Sequence, residues 1–311
     1  MNRGRLAPSP TGAQHLGNAR THLVAFWAAR KFDSELVLRI DDLDSPRVKE
    51  WATRQAVEDL SWLGISWDGP IRKQSENLSH YEQALRTLKN DPRDLVFPCY
   101  CTRKEVESAM SAPHESRFRG ELPPYPGTCS QYRLGDPIKA QDHCWRFRAS
   151  KTQRQFDDQL LGPITCIPSK ELGDFPITHK SGQAAYQLAV VIDDRLQEVD
   201  EVVRGNDLVA STFRQLDLHS ALQIEPPSYA HVPLVRGLDG RRLAKRHGDT
   251  RLSYYRDRGI APEAIVGWAA HSLGIIESME KCSAIELIDE FCWDKLVSED
   301  TLIDPQHLFG C

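Results

Sequence analysis

The feature that most constrains this chain is a compact run near its N-terminus, from Arg5 to Arg20. Gly4 to Ala7 can extend, and two prolines and Gly12 then break the backbone. From His15 onward, apolar residues recur at helical spacing. A short strand, a tight turn and the start of a helix therefore follow one another within a few residues.

This pattern places His15 and Gly17 on the first turn of the predicted helix. Backbone N–H groups and the positive end of the helix dipole point out of such a turn, which suits a bound phosphate. Gly17 leaves no side chain to block a flat ring. The same spacing also fits an ordinary strand–turn–helix with a surface histidine.

Length and charge exclude several classes of protein. A chain of 311 residues with 40% hydrophobic content can bury a sizeable core in two or three domains. The net charge of -5 shows no overall nucleic-acid signature, so any contact with RNA needs a local basic patch. We find no signal peptide and no apolar run of about 20 residues, and expect a cytoplasmic protein.

Strands and helices alternate through the first ninety residues. The run from Glu35 to Ile40 is typical of a strand and ends at the carboxylates Asp41, Asp42 and Asp44. Helices are predicted at 51–63 and around 81–88, and the alternation favours a parallel α/β sheet. Carboxylates at the end of such a strand face the ligand crevice, although a solvated loop would look the same.

The α/β pattern returns after Gly182. Strands are predicted at 185–192, 199–203 and 231–235, and a helix at 208–222. Tyr186, Asp194 and Arg204 are then expected at strand ends, where a phenol, a carboxylate and a guanidinium could hold a small zwitterion. Taken singly, each of them also fits a structural pair.

The cysteines between Asp91 and His179 form a candidate zinc site. Cys99 and Cys101 can coordinate a metal ion with tetrahedral geometry, and Cys129 offers a third thiolate. Three residues are within reach as the fourth ligand, namely Tyr125, His114 and Cys144. Scattered buried cysteines would give the same spacing, and we interpret Cys144, Cys166, Cys282, Cys292 and Cys311 as structural.

A basic loop lies between Gly240 and Asp249. Its four cations are Arg241, Arg242, Lys245 and Arg246. They suit a polyphosphate, or they form a solvated run of charge.

Together these pieces resemble the class I aminoacyl-tRNA synthetases. His15-Leu16-Gly17-Asn18 stands in the place of the H-I-G-H motif, and Arg242 to Arg246 stands in the place of K-M-S-K-S. The segments 5–12, 38–44 and 203–207 are similar to the catalytic domain of glutamyl-tRNA synthetase. The resemblance extends from Arg5 to about Leu252.

Two features resemble a short paralogue family, the glutamyl-queuosine tRNA(Asp) synthetases. Only some sixty residues follow the basic loop, and the cysteine set matches that family's Cys-x-Cys and Tyr-x-x-x-Cys pattern. The resemblance implies one structural Zn²⁺ per chain, held by Cys99, Cys101, Tyr125 and Cys129. Departures are Asp41 for the usual Glu, Ala244 for Ser, and Asn18 for the second His.

The implied fold is α/β, a Rossmann-like parallel sheet with a zinc-binding insertion and a short helical C-terminal region. Its predicted divisions are the first half of the catalytic domain at 1–90, the insertion at 91–179, the second half at 180–238, and the basic loop with the helical region at 239–311.

The implied activity is ATP-dependent activation of glutamate without tRNA, with Mg²⁺ accompanying ATP, and transfer to queuosine in the tRNA(Asp) anticodon loop. The resemblance assigns glutamate to Arg5, Ala7, Ser9, Asp41, Tyr186 and Arg204, and ATP to His15, Gly17, Asn18 and Lys245. His15 and Lys245 would stabilise charge in the transition state. We expect a monomer with no membrane partner.

Three alternatives remain open. The first is a minimal glutamyl-tRNA synthetase that charges a tRNA 3′ end. The second is a binding module that kept the fold and lost the chemistry, and the third is a structural zinc protein.

Overall fold

The structure is a computed structural model that describes residues 2–43, 48–102, 104–106, 118, 123–133, 135–241, 243, 249–305 and 307–310. Its first part contains β1 (Arg3–Leu6), α1 (Leu16–Lys31), β2 (Glu35–Ile40), α2 (Glu50–Trp62), β3 (Arg72–Lys73) and α3 (Leu78–Lys89). The strand, turn and helix predicted at the N-terminus are all present.

The middle of the chain contains β4 (Val96–Cys99), β5 (Cys144–Phe147), β6 (Arg154–Asp158), β7 (Gly162–Cys166), α4 (Pro168–Glu171) and β8 (Phe175–Pro176). There follow α5 (Tyr186–Leu196), β9 (Glu201–Gly205), α6 (Val209–Leu222), β10 (Ser228–Val232) and β11 (Val235–Gly237). The last elements are α7 (Leu252–Asp257), α8 (Pro262–Ser272) and β12 (Thr301–Ile303).

Seven strands form the central sheet in the order β3-β2-β1-β9-β10-β6-β7. All neighbouring pairs are parallel except β6 with β7, so the predicted parallel α/β sheet is confirmed. Helix α1 packs against this sheet and against α8, with Trp27 and Leu23 fully buried. The indole N–H of Trp27 donates to the Ala284 carbonyl at 2.9 Å and ties the C-terminal region to α1.

The prediction of a strand at 185–192 is wrong, because this run forms helix α5. A continuous apolar run fits a buried helix as well as a buried strand. Residues 188–194 are all buried, and α5 packs against α3 and α6 in a core that includes Leu188, Tyr81 and Leu218. Burial on several sides removes the periodicity that would have identified a helix.

The strand predicted at 231–235 is divided in two. Strand β10 ends at Val232, and β11 begins at Val235 in a separate sheet, where it pairs with β12. Pro233 lies between them and has no N–H for a ladder hydrogen bond. Strand β12 lies within the C-terminal region that was predicted to be helical.

The segment 91–179 holds an antiparallel sheet in the order β4-β5-β8. Two further strands of this segment, β6 and β7, belong to the central sheet. The predicted insertion therefore shares strands with the catalytic core. In the described part of the chain, no helix combines the length and the apolar character needed to cross a bilayer.

Candidate active site

One cavity of about 760 Å³ opens where the parallel strands β1, β2, β9 and β10 end. Carboxyl ends of parallel strands form the ligand crevice in such sheets. Its walls contain nine of the residues predicted for glutamate and ATP, namely Arg5, Ala7, Ser9, His15, Gly17, Asn18, Asp41, Tyr186 and Arg204. The structure thus brings residues from distant parts of the sequence to one place.

His15 is the N-cap of α1, one residue before the predicted first turn. Its Nδ1 accepts the backbone N–H groups of Gly17 at 3.1 Å and Asn18 at 3.4 Å, and the Asn18 side chain accepts the His15 N–H at 3.1 Å. Because Nδ1 is an acceptor, a neutral His15 carries its proton on Nε2. The cap therefore sets the tautomer and orientation of the imidazole.

Gly17 packs closely against the His15 ring. A Cβ at this position would lie 3.0 Å from Cε1 and 3.1 Å from Nδ1 of the imidazole. The sequence interpretation gave Gly17 room for a flat ring, and the structure shows that the His15 ring occupies part of that room.

Two buried guanidinium groups, those of Arg5 and Arg204, line the cavity. Arg5 donates Nη1 to the Val203 carbonyl at 2.9 Å, and Arg204 donates Nη2 to the Thr212 hydroxyl at 2.7 Å. Among the described residues, neither Arg5 Nε nor Arg204 Nη1 has a hydrogen-bond partner. Two buried positive charges in one wall suit this cavity to an anion such as a carboxylate.

Asp41 supplies the negative charge of the cavity. Burial raises the pKa of its carboxyl to about 6, although Arg39 opposes the rise. Arg39 donates Nε–H to Asp41 Oδ1 at 2.7 Å, so the short side chain is anchored from the same strand. A carboxylate in this position can accept hydrogen bonds from an ammonium group.

Asp194 does not lie at a strand end. It occupies the last turn of α5 and accepts Arg39 Nη1 at 2.6 Å. Its carboxylate also lies 3.9 Å from Arg5 Nε. Asp194 therefore belongs to a buried ion-pair cluster behind the cavity, while Tyr186 begins the same helix and lines the cavity itself.

His22 is a wall residue that the sequence interpretation missed. It lines the cavity, and its Nε2 is buried without a hydrogen-bond partner in the described part of the chain. Burial, aided by the charge of Arg5, lowers the pKa of His22 to about 4, so the ring is neutral at neutral pH. Its spacing of seven from His15 puts both on one face of α1 and could have identified it.

The basic loop is described only at its edges. Arg242, Ala244, Lys245 and Arg246 lie outside the described residues, but Leu243 lines the cavity. On the far side of the loop, the Thr250 carbonyl accepts the Leu16 N–H at 3.1 Å. The C-terminal edge of the loop thus adjoins the start of α1, and Leu243 shares the cavity with it.

The predicted zinc ligands come together at the end of β4. The sulfur atoms of Cys99, Cys101 and Cys129 lie within 4.8 Å of one another. The Tyr125 hydroxyl lies 3.4 Å from Cys99 Sγ and 3.5 Å from Cys101 Sγ. Three sulfurs and one oxygen at these separations fit a tetrahedral shell, so the cluster could hold zinc.

Of the other two candidate ligands, His114 lies outside the described residues. Cys144 faces Cys99 across the β4–β5 ladder. A hydrogen bond from the Cys144 thiol, with help from Tyr125 and Arg146, lowers the pKa of Cys99 to about 4 and favours the thiolate that a metal needs. Cys144 thus contacts one member of the group of three without belonging to it.

Comparisons with known proteins agree with this geometry. A family model described as "tRNA synthetases class I (E and Q), catalytic domain" matches residues 2–308. The glutamyl-Q tRNA(Asp) synthetase of Rhodopirellula baltica is 51% identical to this chain over 96% of each chain. Glutamate–tRNA ligase 2 of Syntrophus aciditrophicus is 38% identical over 98% of this chain and 64% of its own length.

A solved structure shows the same fold. The glutamate tRNA ligase of Elizabethkingia meningosepticum, in complex with its amino acid, superposes with a TM-score of 0.80 at 24% identity. The match covers 97% of this chain and 66% of the other.

Proposed function

This chain belongs to the class I tRNA synthetase catalytic-domain family for glutamate and glutamine, and on that premise we propose that it activates glutamate with ATP and transfers it to queuosine in tRNA(Asp). The observation that carries the proposal is one cavity that holds all six residues predicted for glutamate and three of the four predicted for ATP. The name of the R. baltica relative, which matches along nearly its whole length, supports the acceptor.

Glutamate fits the charge pattern of the cavity. Its two carboxylates would face the buried guanidinium groups of Arg5 and Arg204, and its ammonium would face Asp41. Ala7 and Ser9 follow β1 on the same wall, and Tyr186 closes the side formed by α5. A ligand with two negative groups and one positive group satisfies more of these side chains than a monocarboxylate would.

ATP would lie across the start of α1. Gly17 and Asn18 lie at the positive end of the helix, where His15 Nδ1 accepts their backbone N–H groups, and the Nε2–H of the His15 ring would be the donor for phosphate oxygens. We assign Lys245 to the same phosphates because Leu243 of its loop lines the cavity and Thr250, just after the loop, is hydrogen-bonded to the start of α1. Mg²⁺ would be held mainly by the ATP phosphates, where it neutralises charge.

In the first step the α-carboxylate of glutamate attacks the α-phosphorus of ATP. The bond to pyrophosphate breaks, and glutamyl-adenylate forms without a covalent enzyme intermediate. Catalysis comes from positioning and from cations that meet the charge developing on pyrophosphate. In the second step a hydroxyl of queuosine attacks the acyl carbon, AMP leaves, and the hydroxyl proton is lost.

Zinc has a structural part in this proposal. Four protein ligands fill a tetrahedral shell, so the ion would stabilise the segment between β4 and β5 and do no chemistry. We expect the protein to act in the cytoplasm, where its tRNA substrate would be found.

A minimal glutamyl-tRNA synthetase is the second candidate. The S. aciditrophicus ligase, which matches most of this chain, favours it. The two candidates share the first step and differ only in the acceptor.

The test is glutamate transfer to tRNA(Asp) with and without queuosine. We expect ATP–pyrophosphate exchange with glutamate and no tRNA, and radiolabelled glutamate only on the queuosine-containing tRNA. Labelling of a tRNA(Glu) transcript instead would establish the second candidate. Absence of glutamate-dependent exchange would reject both.

A further inference from the structure

Arg204 is held by a buried side chain that does not line the cavity. Its Nε donates to Nε2 of His231 at 3.1 Å, and its Nη2 donates to the Thr212 hydroxyl at 2.7 Å. Arg204 is 4% exposed and His231 is fully buried. Two of the three guanidinium nitrogens are thus committed to the protein, and Nη1 is left unpartnered.

The contact with Arg204 determines where His231 carries its proton. A guanidinium group has donors only, so His231 Nε2 must be an unprotonated acceptor. The proton of the neutral ring is therefore on Nδ1, which lies 2.6 Å from Asp158 Oδ2. A positively charged His231 would lose the hydrogen bond to Arg204 and place two buried cations side by side.

Asp158 is itself held firmly at the end of β6. Its Oδ1 accepts the backbone N–H groups of Leu160 at 3.0 Å, Leu161 at 2.9 Å and His231 at 3.2 Å. Burial raises the pKa of Asp158, but the hydrogen bond from His231 and these amides outweigh burial, and the net shift is downward. The carboxylate stays ionised and fixes the His231 ring.

Burial also keeps His231 neutral. It lowers the pKa of the imidazole to about 4, and the charge of Arg204 acts in the same direction against the pull of Asp158. The three side chains come from β6, β10 and β9, which are adjacent in the central sheet.

We infer that Asp158 and His231 are positioning residues that aim the Arg204 guanidinium at a carboxylate of the substrate. This inference rests on the proposed function, because it takes glutamate as the anion that Arg204 binds. His231 acts as a rigid, neutral acceptor, so the orientation of the Arg204 guanidinium in the cavity wall is set before the substrate arrives. We expect this arrangement to tighten glutamate binding and to have little effect on ATP binding.

The experiment compares two substitutions that each keep one half of the imidazole. His231→Gln can present an acceptor near the place of Nε2, whereas His231→Asn keeps a donor toward Asp158 and offers Arg204 nothing. We expect His231→Asn to raise the KM for glutamate about ten- to hundredfold, the range for a hydrogen bond to a charged group. His231→Gln should restore most of the affinity for glutamate that His231→Asn loses. The KM for ATP should change less than about threefold in both variants.

His219→Asn is the matched control. His219 is 4% exposed, burial lowers its pKa to about 4, and it lines a different cavity at the amino ends of β9 and β10. This variant loses a buried neutral histidine as well, yet the KM for glutamate should stay at the wild-type value.

Arg204→Lys separates this inference from the proposed function. If Arg204→Lys raises the KM for glutamate and His231→Asn does not, the positioning role is wrong and the site assignment stands. If Arg204→Lys leaves the KM unchanged, Arg204 does not bind glutamate. Equal rises for glutamate and ATP, or no rescue by Gln, would mean a merely structural histidine.

A measurement on the wild-type protein covers the case in which the variants fail to fold. In ¹⁵N-labelled protein at neutral pH, the buried His231 ring should show a proton on Nδ1 and a bare Nε2. A proton on Nε2 would overturn the inference.

Discussion

At the level of single residues, the cavity is defined by charges that the protein leaves incompletely paired. Arg5 and Arg204 are almost fully buried, and each keeps one guanidinium nitrogen without a partner among the described residues. Arg39 lies just behind them with three aspartates around it. Arg39 Nη2 is also without a partner among the described residues, so these arginines differ in charge and position: three carboxylates lie within 4.0 Å of Arg39, whereas Arg5 and Arg204 line the cavity.

Asp41 should give the enzyme a pH dependence. Burial raises its pKa to about 6, and the ionised form is needed to hold an ammonium. Below about pH 6 the carboxyl takes up a proton, so kcat/KM for glutamate should fall toward a tenfold loss per pH unit. The measurement is ATP–pyrophosphate exchange with varied glutamate between pH 5 and 8.

Asp41→Asn is the control for that profile. It should have a low kcat/KM for glutamate at every pH and lack the inflection near pH 6. Any loss of metal in acid should affect both proteins equally, so it cannot produce this difference. A wild-type profile that stays flat down to pH 5 would contradict the role of Asp41.

At the level of elements, the start of α1 combines a helix cap with the imidazole that we propose to be catalytic. His15 caps the helix through Nδ1 and lines the cavity, so the same ring stabilises α1 and belongs to the proposed nucleotide site. The two roles can be separated, because asparagine is a good N-cap residue and lacks an imidazole.

His15→Asn should therefore keep stability and lose activity. We expect a free energy of unfolding within about 0.5 kcal/mol of the wild type, whereas His15→Ala should lose about 1 kcal/mol. Both variants should lower the exchange rate by roughly 10²–10³, the usual cost of one electrostatic donor. Urea unfolding and pyrophosphate exchange give the two numbers, and an active His15→Asn enzyme would refute the catalytic role.

Loss of the metal from the cysteine cluster should affect only the segment around the cluster. Cys101→Ser should release zinc and loosen the segment from Cys99 to Cys129, while exchange of pyrophosphate continues at the separate cavity. Elemental analysis should find about one zinc per wild-type chain and much less in this variant.

Cys166→Ser is the matched control, since Cys166 is buried in β7 outside the cluster and should leave zinc in place. Tyr125→Phe tests the fourth ligand. Unchanged zinc affinity in that variant would argue against the phenol oxygen and would bring Cys144 or His114 back into consideration.

At the scale of the whole molecule, one buried ion-pair cluster joins the elements behind the cavity. Arg39 on β2 contacts Asp194 of α5 at 2.6 Å, and Asp193 accepts hydrogen bonds from Gln74 and from Tyr81 of α3. The cluster therefore connects the sheet to two helices that the sequence separates by about a hundred residues.

Removing Arg39 should destabilise the entire fold. Arg39→Met would leave Asp41, Asp193 and Asp194 without their buried cation, and we expect a loss of about 3–5 kcal/mol in urea unfolding. Arg86→Met removes an exposed partner 3.7 Å from Glu82, which should cost less than about 1 kcal/mol. Equal effects of the two substitutions would show that the cluster is not a stabilising unit.

The sequence by itself was sufficient for the pattern of the N-terminal strand, turn and helix and for the parallel sheet. Its resemblance to a known family also predicted residues for the glutamate, nucleotide and zinc sites, most of which the structure brings together. These features are local: a proline–glycine break, an apolar period or a cysteine spacing reports conformation and chemistry within a few residues. Lys245 remains a prediction from that source, because it lies outside the described residues.

Only the tertiary structure decided what happens where distant segments meet. The run 185–192 became a helix because its surroundings bury it on several sides, so no period was visible in the sequence. Asp194 accepts a hydrogen bond from Arg39 on another element. Burial, with the charge of Arg5, lowers the pKa of His22, and His231 accepts a hydrogen bond from Arg204. Side-chain pairing across strands depends on three-dimensional proximity, which spacing along one chain does not encode.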